Sequence, residues 1–230
     1  MGSPLAMRGV VLPGVFRPRS DTWLLARAAS AQRVHDRVLE LCAGPAFAGI
    51  AASRSGAHLT TVDVSRRAVL NARINAWLNG VVIEARRGDL FTAVAGERFD
   101  LILANAPYLP GPPPPAHGRA RATDADADGR ALLDRICAAA PAHLNPGGTI
   151  LLVHSEVCDS DATLAALASG GLDVDVVARH RGPLGPLLSA RRAQLEARGR
   201  LEPGQQLEDV LVLRGRQVGR TSARWPIPTP

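Results

Sequence analysis

Short apolar runs alternate with amphipathic stretches along most of the chain. The apolar runs have the length of strands, whereas the stretches between them repeat their apolar residues at helical spacing. Strands that alternate with helices predict a parallel sheet with helices on both faces, an α/β fold with seven strands. The predicted strands are 37–41, 59–62, 81–85, 99–104, 149–154, 172–178 and 209–213.

Two of the intervening segments have the pattern of amphipathic helices. In the first, from Ser65 to Asn79, Ser65 can cap the N-terminus and Gly80 can end the helix. The second is predicted over 131–140. The apolar positions that share one face are Leu70, Ile74, Trp77 and Leu78 in the first helix, and Leu132, Leu133, Ile136 and Cys137 in the second.

Three regions lie outside this alternation. Residues 1–19 are loop-like with one short strand at most, and residues 217–230 are polar and rich in proline. The segment 109–130 joins a proline run to an acidic stretch and is too long for a routine connection, which is typical of a functional or mobile loop. We therefore predict one domain over residues 1–216, with loose termini at 1–14 and 217–230.

Composition excludes several classes of protein. The 230 residues are 46% apolar and 21% charged, as in ordinary globular chains, and the net charge is +6. All 27 basic residues are arginines spread along the chain, so the charge does not indicate a nucleic-acid surface. No run approaches the ~20 apolar residues of a membrane span, and the first residues do not resemble a signal peptide, so we expect a cytoplasmic protein. The three cysteines lack metal-ligand spacing, which fits a reducing compartment and no metal site.

A tight turn follows the first predicted strand. The segment 38–46 runs from a strand through small residues into a helix, and ligands of open α/β sheets bind at such carboxyl ends. The usual three glycine positions hold Cys42, Gly44 and Ala46, which argues against a dinucleotide-binding turn. An ordinary strand-to-helix turn is the alternative interpretation.

Three carboxylates near the predicted strand ends are candidates for binding a nucleoside-like ligand. Glu40 can pair with a cationic group of that ligand. Asp63, about 20 residues further on, can accept hydrogen bonds from ribose hydroxyls, or it can cap the helix that starts near Ser65. Asp89 can accept a hydrogen bond from an adenine amine with Leu90 against the ring, or it is an ordinary turn aspartate.

A tetrapeptide, Asn105-Ala106-Pro107-Tyr108, follows the fourth predicted strand. With this motif the chain resembles class I methyltransferases that use S-adenosylmethionine. Within that class it resembles the HemK/PrmC family, which methylates the glutamine side chain of the Gly-Gly-Gln motif in peptide-chain release factors. The family tetrapeptide is Asn-Pro-Pro-Tyr, so Ala106 is a departure from it. Further segments of similarity are 15–22, 128–134 and 144–148.

The resemblance covers residues 11–215 and implies the fold, the cofactor and the site. It implies an antiparallel last strand, S-adenosyl-L-methionine as methyl donor with S-adenosyl-L-homocysteine as product, and a protein acceptor such as a release factor. It includes no counterpart of the N-terminal helical domain of the bacterial enzymes; shorter archaeal and eukaryotic members pair with a small activating subunit, so such a subunit or a homodimer is a further expectation. The implied catalytic positions are Asn105, Ala106, Pro107 and Tyr108, and the implied cofactor-binding positions are Arg19, Asp21, Thr22, Glu40, Cys42, Ala43, Gly44, Asp63, Val64, Gly88, Asp89, Leu90 and Asn105.

The tetrapeptide suits methyl transfer to a planar nitrogen. An amide or aryl amine is a poor nucleophile because its lone pair is delocalised. The side-chain oxygen of Asn105 and the carbonyl of Ala106 can accept its two N–H hydrogens, which holds the nitrogen in line with the methyl group and lowers the barrier. Pro107 fixes its backbone φ, and Tyr108 can pack against the flat acceptor.

Three alternatives to a protein glutamine stay open. Exocyclic amines of DNA or RNA bases are also planar, although only 3% of the residues are aromatic and flipped bases are usually held by aromatic stacking. A small molecule of specialised metabolism is the second, with residues 109–130 as a lid. The third is a binding scaffold without turnover, which the altered glycine turn and Ala106 keep open.

Overall fold

The structure, a computed structural model, describes residues 7–32, 36–111 and 128–218. Most of the predicted loop 109–130 and of the C-terminal tail lies outside these ranges. In the described part of the chain, strands and helices alternate as the apolar pattern predicts. The strands are β1 (Arg37–Leu41), β2 (His58–Asp63), β3 (Ile83–Arg87), β4 (Phe99–Ala104), β5 (Leu144–Ser155), β6 (Leu172–Pro183) and β7 (Leu207–Gln217). The helices are α1 (Ser20–Ser30), α2 (Phe47–Ser53), α3 (Arg66–Leu78), α4 (Ala131–Ala139), α5 (Ser160–Ser169), α6 (Pro186–Ala190) and α7 (Arg192–Ala197).

The strands form one seven-stranded sheet in the order β3-β2-β1-β4-β5-β7-β6. Neighbours from β3 through β5 pair in parallel, whereas β7 is antiparallel to both β5 and β6. This confirms the predicted seven-stranded α/β fold and its antiparallel last strand. The predicted strand bounds are short at β5, β6 and β7. In β6 and β7 antiparallel pairing continues past the apolar runs, and β5 begins earlier because Leu144 pairs in parallel with Phe99 of β4.

Helices cover both faces of the sheet and bury two apolar layers. One layer packs α1, α2 and α3 on the sheet, and its members include Leu25, Ile50, Leu59, Leu101 and Val153. The opposite layer packs α4 and α5, and its members include Leu39, Ile102, Leu133, Ile136 and Leu167. No helix in the described ranges is long and apolar enough to cross a membrane.

Helix α3 begins and ends as predicted, but its apolar stripe is not its buried face. The hydroxyl of Ser65 accepts a hydrogen bond from the N–H of Ala68 and caps the N-terminus. Leu70 and Trp77 are 52% and 79% exposed. The buried positions are small or carry amides, which lets the helix approach its neighbours closely; they are Ala68, Asn71, Ala72, Asn75 and Ala76.

The amides of α3 bind the segment that precedes α1. Backbone N–H groups at alternate positions of residues 8–12 donate to the side-chain oxygens of Asn79, Asn75 and Asn71, at 2.8–3.1 Å. The match is geometric, since two residues of extended chain advance about as far as four residues of helix. The structure therefore differs from the predicted loose terminus over residues 8–12.

Candidate active site

A cavity of about 1370 Å³ lies at the carboxyl ends of β1, β2, β3 and β4. It exceeds the roughly 300–1,000 Å³ of a typical small-molecule pocket, so it has room for a nucleoside-sized ligand and a second reactant. Every site position predicted from the sequence lines this cavity; the role given to each stays a prediction. The lining residues that sequence reasoning missed include Phe16, Ser65, Arg66, Arg67, Arg87, Arg135, Leu187, Leu188, Glu208 and Val210.

Three residues in the turn between β1 and α2 have the positive φ angles that favour glycine, although only one of them is a glycine. The φ angles of Cys42, Gly44 and Ala46 are +52°, +52° and +62°. A non-glycine residue pays roughly 1–2 kcal/mol for the left-handed region. The chain accepts this cost twice, which keeps the turn tight and its backbone at the cavity wall.

Glu40 points from β1 into the start of α2. Its Oε2 accepts the N–H of Gly49 at 2.8 Å, and a side chain at Gly49 would collide with that oxygen. Burial, together with the nearby carboxylate of Asp63, raises the pKa of Glu40 from 4.5 to about 8, although backbone N–H donors act in the opposite direction. A buried carboxyl group of this kind ionises readily only beside a cation.

Asp63 connects two of the segments that enclose the cavity. One oxygen accepts the N–H of Gly44 at 2.9 Å, and the other accepts the N–H of Ser65 at 2.8 Å. The carboxylate thus holds the turn after β1 against the start of α3. The predicted alternative is that Asp63 caps the helix near Ser65. The structure has Ser65 itself as the cap of α3, while Asp63 accepts the N–H of Ser65 and keeps its side chain on the cavity wall.

Asp89 follows β3 and forms a two-point ion pair with Arg135. The Arg135 guanidinium on α4 donates to both carboxylate oxygens, at 2.6 and 3.3 Å, and both side chains are half-exposed. The hydrogen bonds that Arg135 donates to Asp89 raise the pKa of its guanidinium. Sequence reasoning missed Arg135 because nothing in the pattern around it relates it to a turn 46 residues earlier.

The tetrapeptide lies between β4 and the N-terminus of α1. Nδ2 of Asn105 donates to the hydroxyl of Thr22 at 3.3 Å, and the Tyr108 hydroxyl donates to Oδ2 of Asp21 at 3.0 Å. Burial and the carboxylates of Asp21 and Glu208 hold the pKa of Tyr108 well above 10, so it stays a donor. The departure from the family pattern, Ala106, is fully buried in the core.

Residues inserted between β6 and β7 form the wall next to the tetrapeptide. Helices α6 and α7 pack Leu188 and Leu195 against Leu109 and Tyr108. The Cys158 thiol donates to the backbone carbonyl of Tyr108 at 2.7 Å and supports the loop from behind. This wall is built by packing between distant segments, so no local signal in the sequence could have identified it.

His154, near the end of β5, is fully buried and is not among the residues that line the cavity. Its ring nitrogens contact the carbonyl of Ser155 and the hydroxyl of Thr163, at 2.9 and 3.0 Å. Burial lowers its pKa to about 4, so the ring is neutral. Within the described ranges, no group of three or more His, Cys, Asp or Glu side chains is placed to hold a metal ion.

Comparison with known sequences identifies a family. The family model described as the methyltransferase small domain matches residues 10–181. A Methanocaldococcus jannaschii protein, named as a candidate protein N5-glutamine methyltransferase, is 34% identical over 179 residues, which are 76% of this chain and 90% of that protein. The release factor glutamine methyltransferase of Geobacter sulfurreducens is 31% identical over 153 residues, 62% of this chain and 54% of its own length. The ribosomal protein uL3 glutamine methyltransferase of Bradyrhizobium diazoefficiens is 33% identical over 126 residues, 50% of this chain and 40% of its own. The chain thus spans about half the length of these two bacterial relatives.

Solved structures share the fold at low identity. A methyltransferase from Pyrococcus furiosus has a TM-score of 0.61 at 16% identity, over 94% of this chain and 91% of that one. The E. cuniculi Mtq2–Trm112 complex, responsible for methylation of the termination factor eRF1, has a TM-score of 0.59 at 19% identity, over 89% of this chain and 99% of that one. The matched family model and the sequence relatives place the chain in the methyltransferase small domain family, as a HemK/PrmC-like S-adenosylmethionine-dependent N-methyltransferase.

Proposed function

We propose that the chain methylates the side-chain amide nitrogen of a glutamine in a protein, with a peptide-chain release factor as the first candidate. The observation that carries the proposal is the state of Asn105. Its Nδ2 is engaged by Thr22, while no hydrogen bond in the described part of the chain occupies its Oδ1. That oxygen is therefore available at the cavity wall to accept an N–H from a planar acceptor.

The tetrapeptide supplies positioning rather than a base. Oδ1 of Asn105 and the carbonyl of Ala106 accept the two N–H hydrogens of the glutamine amide, and the Tyr108 ring packs on the amide plane. The nitrogen so held would take the methyl group that bound S-adenosylmethionine supplies, with the electron pair of the broken S–C bond left on sulfur and one proton released to water. Because the alkylated nitrogen is acidic, no strong base is needed; holding the atoms in line is the main contribution.

The residues on the opposite side of the cavity fit S-adenosylmethionine. When bound, that cofactor supplies an electrophilic methyl group on a sulfonium ion. Glu40 is a buried carboxyl that a cationic amine would stabilise in its ionised form. Asp63 lines the cavity at the end of β2, where it would accept hydrogen bonds from ribose hydroxyls, and Asp89 and Leu90 line it after β3, where they would contact the adenine. The small turn at Gly44 lets the ligand approach the backbone.

Relatives of this chain support a glutamine acceptor. The Methanocaldococcus jannaschii protein, of which the chain covers 90%, is named for protein N5-glutamine methylation. Bacterial relatives are named for release factors and for ribosomal protein uL3. In both cases the methyl acceptor is a glutamine side chain of a protein. The N–H groups of such an amide match the hydrogen-bond acceptors at the tetrapeptide.

The test is transfer of labelled methyl from S-adenosylmethionine to purified release factor, to uL3, to total RNA, to DNA and to a small-molecule extract. We expect label on the release factor, lost when its Gly-Gly-Gln glutamine is replaced by alanine. Label in another fraction alone would move the function to that acceptor. Transfer by the chain alone would remove the need for an activating subunit. Calorimetry adds a separate result, since failure to bind S-adenosylmethionine would favour a scaffold without turnover over all of these enzymes.

A further inference from the structure

A continuous series of hydrogen bonds runs from the carboxylate of Asp21 through the hydroxyl of Thr22 to the amide of Asn105. Oδ1 of Asp21 accepts the Thr22 hydroxyl at 3.2 Å and the Thr22 N–H at 2.6 Å. The Thr22 oxygen accepts from Nδ2 of Asn105 at 3.3 Å. Asp21 and Thr22 are both 6% exposed, so water contributes little to this arrangement.

The Thr22 hydroxyl uses its one proton and both of its lone pairs in hydrogen bonds, and this fixes the direction in which the proton points. A hydroxyl has one proton to donate and two lone pairs to accept with. In Thr22 the proton goes to Asp21, one lone pair accepts from Asn105, and the other accepts the N–H of Arg19 at 3.4 Å, at the start of α1. Toward Asn105 the hydroxyl can therefore only accept.

The charge on Asp21 decides between the two orientations of the Asn105 amide. If the amide were turned over, its Oδ1 would need the Thr22 proton and would compete for it with a carboxylate. A hydrogen bond to an ionised acceptor is roughly twice as strong as one to a neutral acceptor, so the carboxylate keeps the proton. The NH₂ group of Asn105 consequently faces Thr22, and its Oδ1 faces the amide that is to be methylated.

The same carboxylate also holds the second acceptor-binding side chain. Its other oxygen, Oδ2, accepts the Tyr108 hydroxyl at 3.0 Å. One buried charge on α1 thus orients both ends of the tetrapeptide. We propose that Asp21 and Thr22 are positioning residues for the acceptor, acting through Asn105 and Tyr108, in addition to lining the cofactor cavity. This inference rests on the proposed function, which takes Oδ1 of Asn105 as the group that receives the acceptor N–H.

The decisive comparison is Thr22→Val against Thr22→Ser. Valine keeps the shape but removes the hydroxyl, so the Asn105 amide loses its direction; we expect kcat to fall ten- to hundredfold, with the cofactor Kd within threefold of wild type. Serine restores the hydroxyl and should recover most of the lost kcat. Thr60→Val, at a buried threonine of β2 outside the cavity, controls for general effects of the substitution and should leave kcat unchanged.

A spectroscopic arm is independent of the identity of the acceptor. The side-chain NH₂ signals of Asn105 in ¹⁵N-labelled protein are identified by their loss in Asn105→Ala. We expect Thr22→Val to shift the bonded proton to the position of a solvated amide, and Thr22→Ser to return it. Asp21→Asn, whose NH₂ can donate to the Thr22 oxygen, should shift it as well.

Four outcomes would overturn the inference. These are unchanged Asn105 signals in Thr22→Val, an unchanged kcat in that variant, an equal loss in Thr22→Ser, or a rise in cofactor Kd that matches the fall in kcat. If no glutamine substrate is methylated, the proposed function fails while the Asn105 signals still decide whether Asp21 and Thr22 orient the amide.

Discussion

Asp89 and Arg135 meet across 46 residues of sequence and form a two-point ion pair at the rim of the cavity, at 2.6 and 3.3 Å. Both side chains are half-exposed, and such a pair contributes at most about 1 kcal/mol to folding stability. Its more specific consequence is orientation: a carboxylate held by a forked guanidinium on one side presents a fixed set of lone pairs on the other.

We therefore expect Arg135 to affect cofactor affinity only through Asp89. If Asp89 binds the adenine as proposed, Asp89→Ala removes one hydrogen bond and should raise the Kd for S-adenosylmethionine about tenfold, equivalent to about 1.4 kcal/mol. Arg135→Ala should raise it about threefold. In calorimetry the double variant should bind as Asp89→Ala does. Additive losses would mean that Arg135 acts on the ligand directly.

Glu40 should make cofactor binding depend on pH. Its pKa is raised to about 8, so in the free protein most of the carboxyl is protonated at pH 6 and cannot pair with a cationic amine. A bound cation favours the ionised form, so affinity should rise with pH, by up to tenfold per unit between pH 6 and about 8, and then level off.

The control is Glu40→Gln, which keeps the size of the side chain and cannot ionise. Titration calorimetry from pH 6 to 8 should show the slope in wild-type protein and a flat profile in this variant. The slope persisting in Glu40→Gln would place the titrating group elsewhere, and a flat wild-type profile would mean that Glu40 does not face the cation.

Asn105 should matter for transfer much more than for cofactor binding. Asn105→Ala removes the side-chain oxygen that we propose accepts the amide N–H, and the loss of such a preorganised group typically costs about a hundredfold in kcat. The cofactor Kd should stay within a few-fold. Asn79→Ala, outside the cavity, serves as the matched asparagine control. An equal loss of affinity and rate in Asn105→Ala would assign Asn105 to the cofactor instead.

The fold was predictable because its signals are local. The strand that contains Glu40 and the strand before Asn105 are short, mostly apolar segments, and Ser65 and Gly80 mark the ends of α3. The candidate site was predictable for a related reason: in a parallel sheet, residues that follow consecutive strands meet at one edge, so Asp63 and Asp89 had to lie close together.

The site residues and contacts that the sequence did not indicate arise from packing between distant segments. Arg135, Leu188 and Glu208 reach the cavity from α4 and from the chain around β7, and no spacing rule relates them to the strand ends. The hydrogen bonds from Tyr108 to Asp21 and from Asn105 to Thr22 likewise join residues more than 80 positions apart. Motif similarity placed Asp21 and Thr22 near the cofactor and gave no sign of these contacts.

Helix α3 shows where a periodicity argument fails, and it provides a direct test. Leu70 and Trp77 match the apolar stripe of a buried face yet are exposed, while the fully buried Asn75 sits inside. Helical spacing shows which residues share one face of a helix, but it does not show what that face packs against. Here the partner is a backbone, namely the segment before α1 and the turn after β1, and a backbone is best satisfied by amides.

Asn75→Ala should therefore destabilise the protein far more than Trp77→Ala. The Asn75 side chain bonds both the N–H and the carbonyl of Val10, and the carbonyl of Pro45, at 2.9–3.1 Å. Leaving such groups unsatisfied should cost about 2 kcal/mol. Trp77 is 79% exposed, so its truncation should change the free energy of unfolding by no more than about 0.5 kcal/mol. Urea unfolding followed by circular dichroism measures both variants, and a greater loss in Trp77→Ala would show that the apolar stripe of α3 is its packed face after all. Because Pro45 adjoins Gly44 in the turn, Asn75→Ala should also weaken cofactor binding, whereas Trp77→Ala should leave it unchanged.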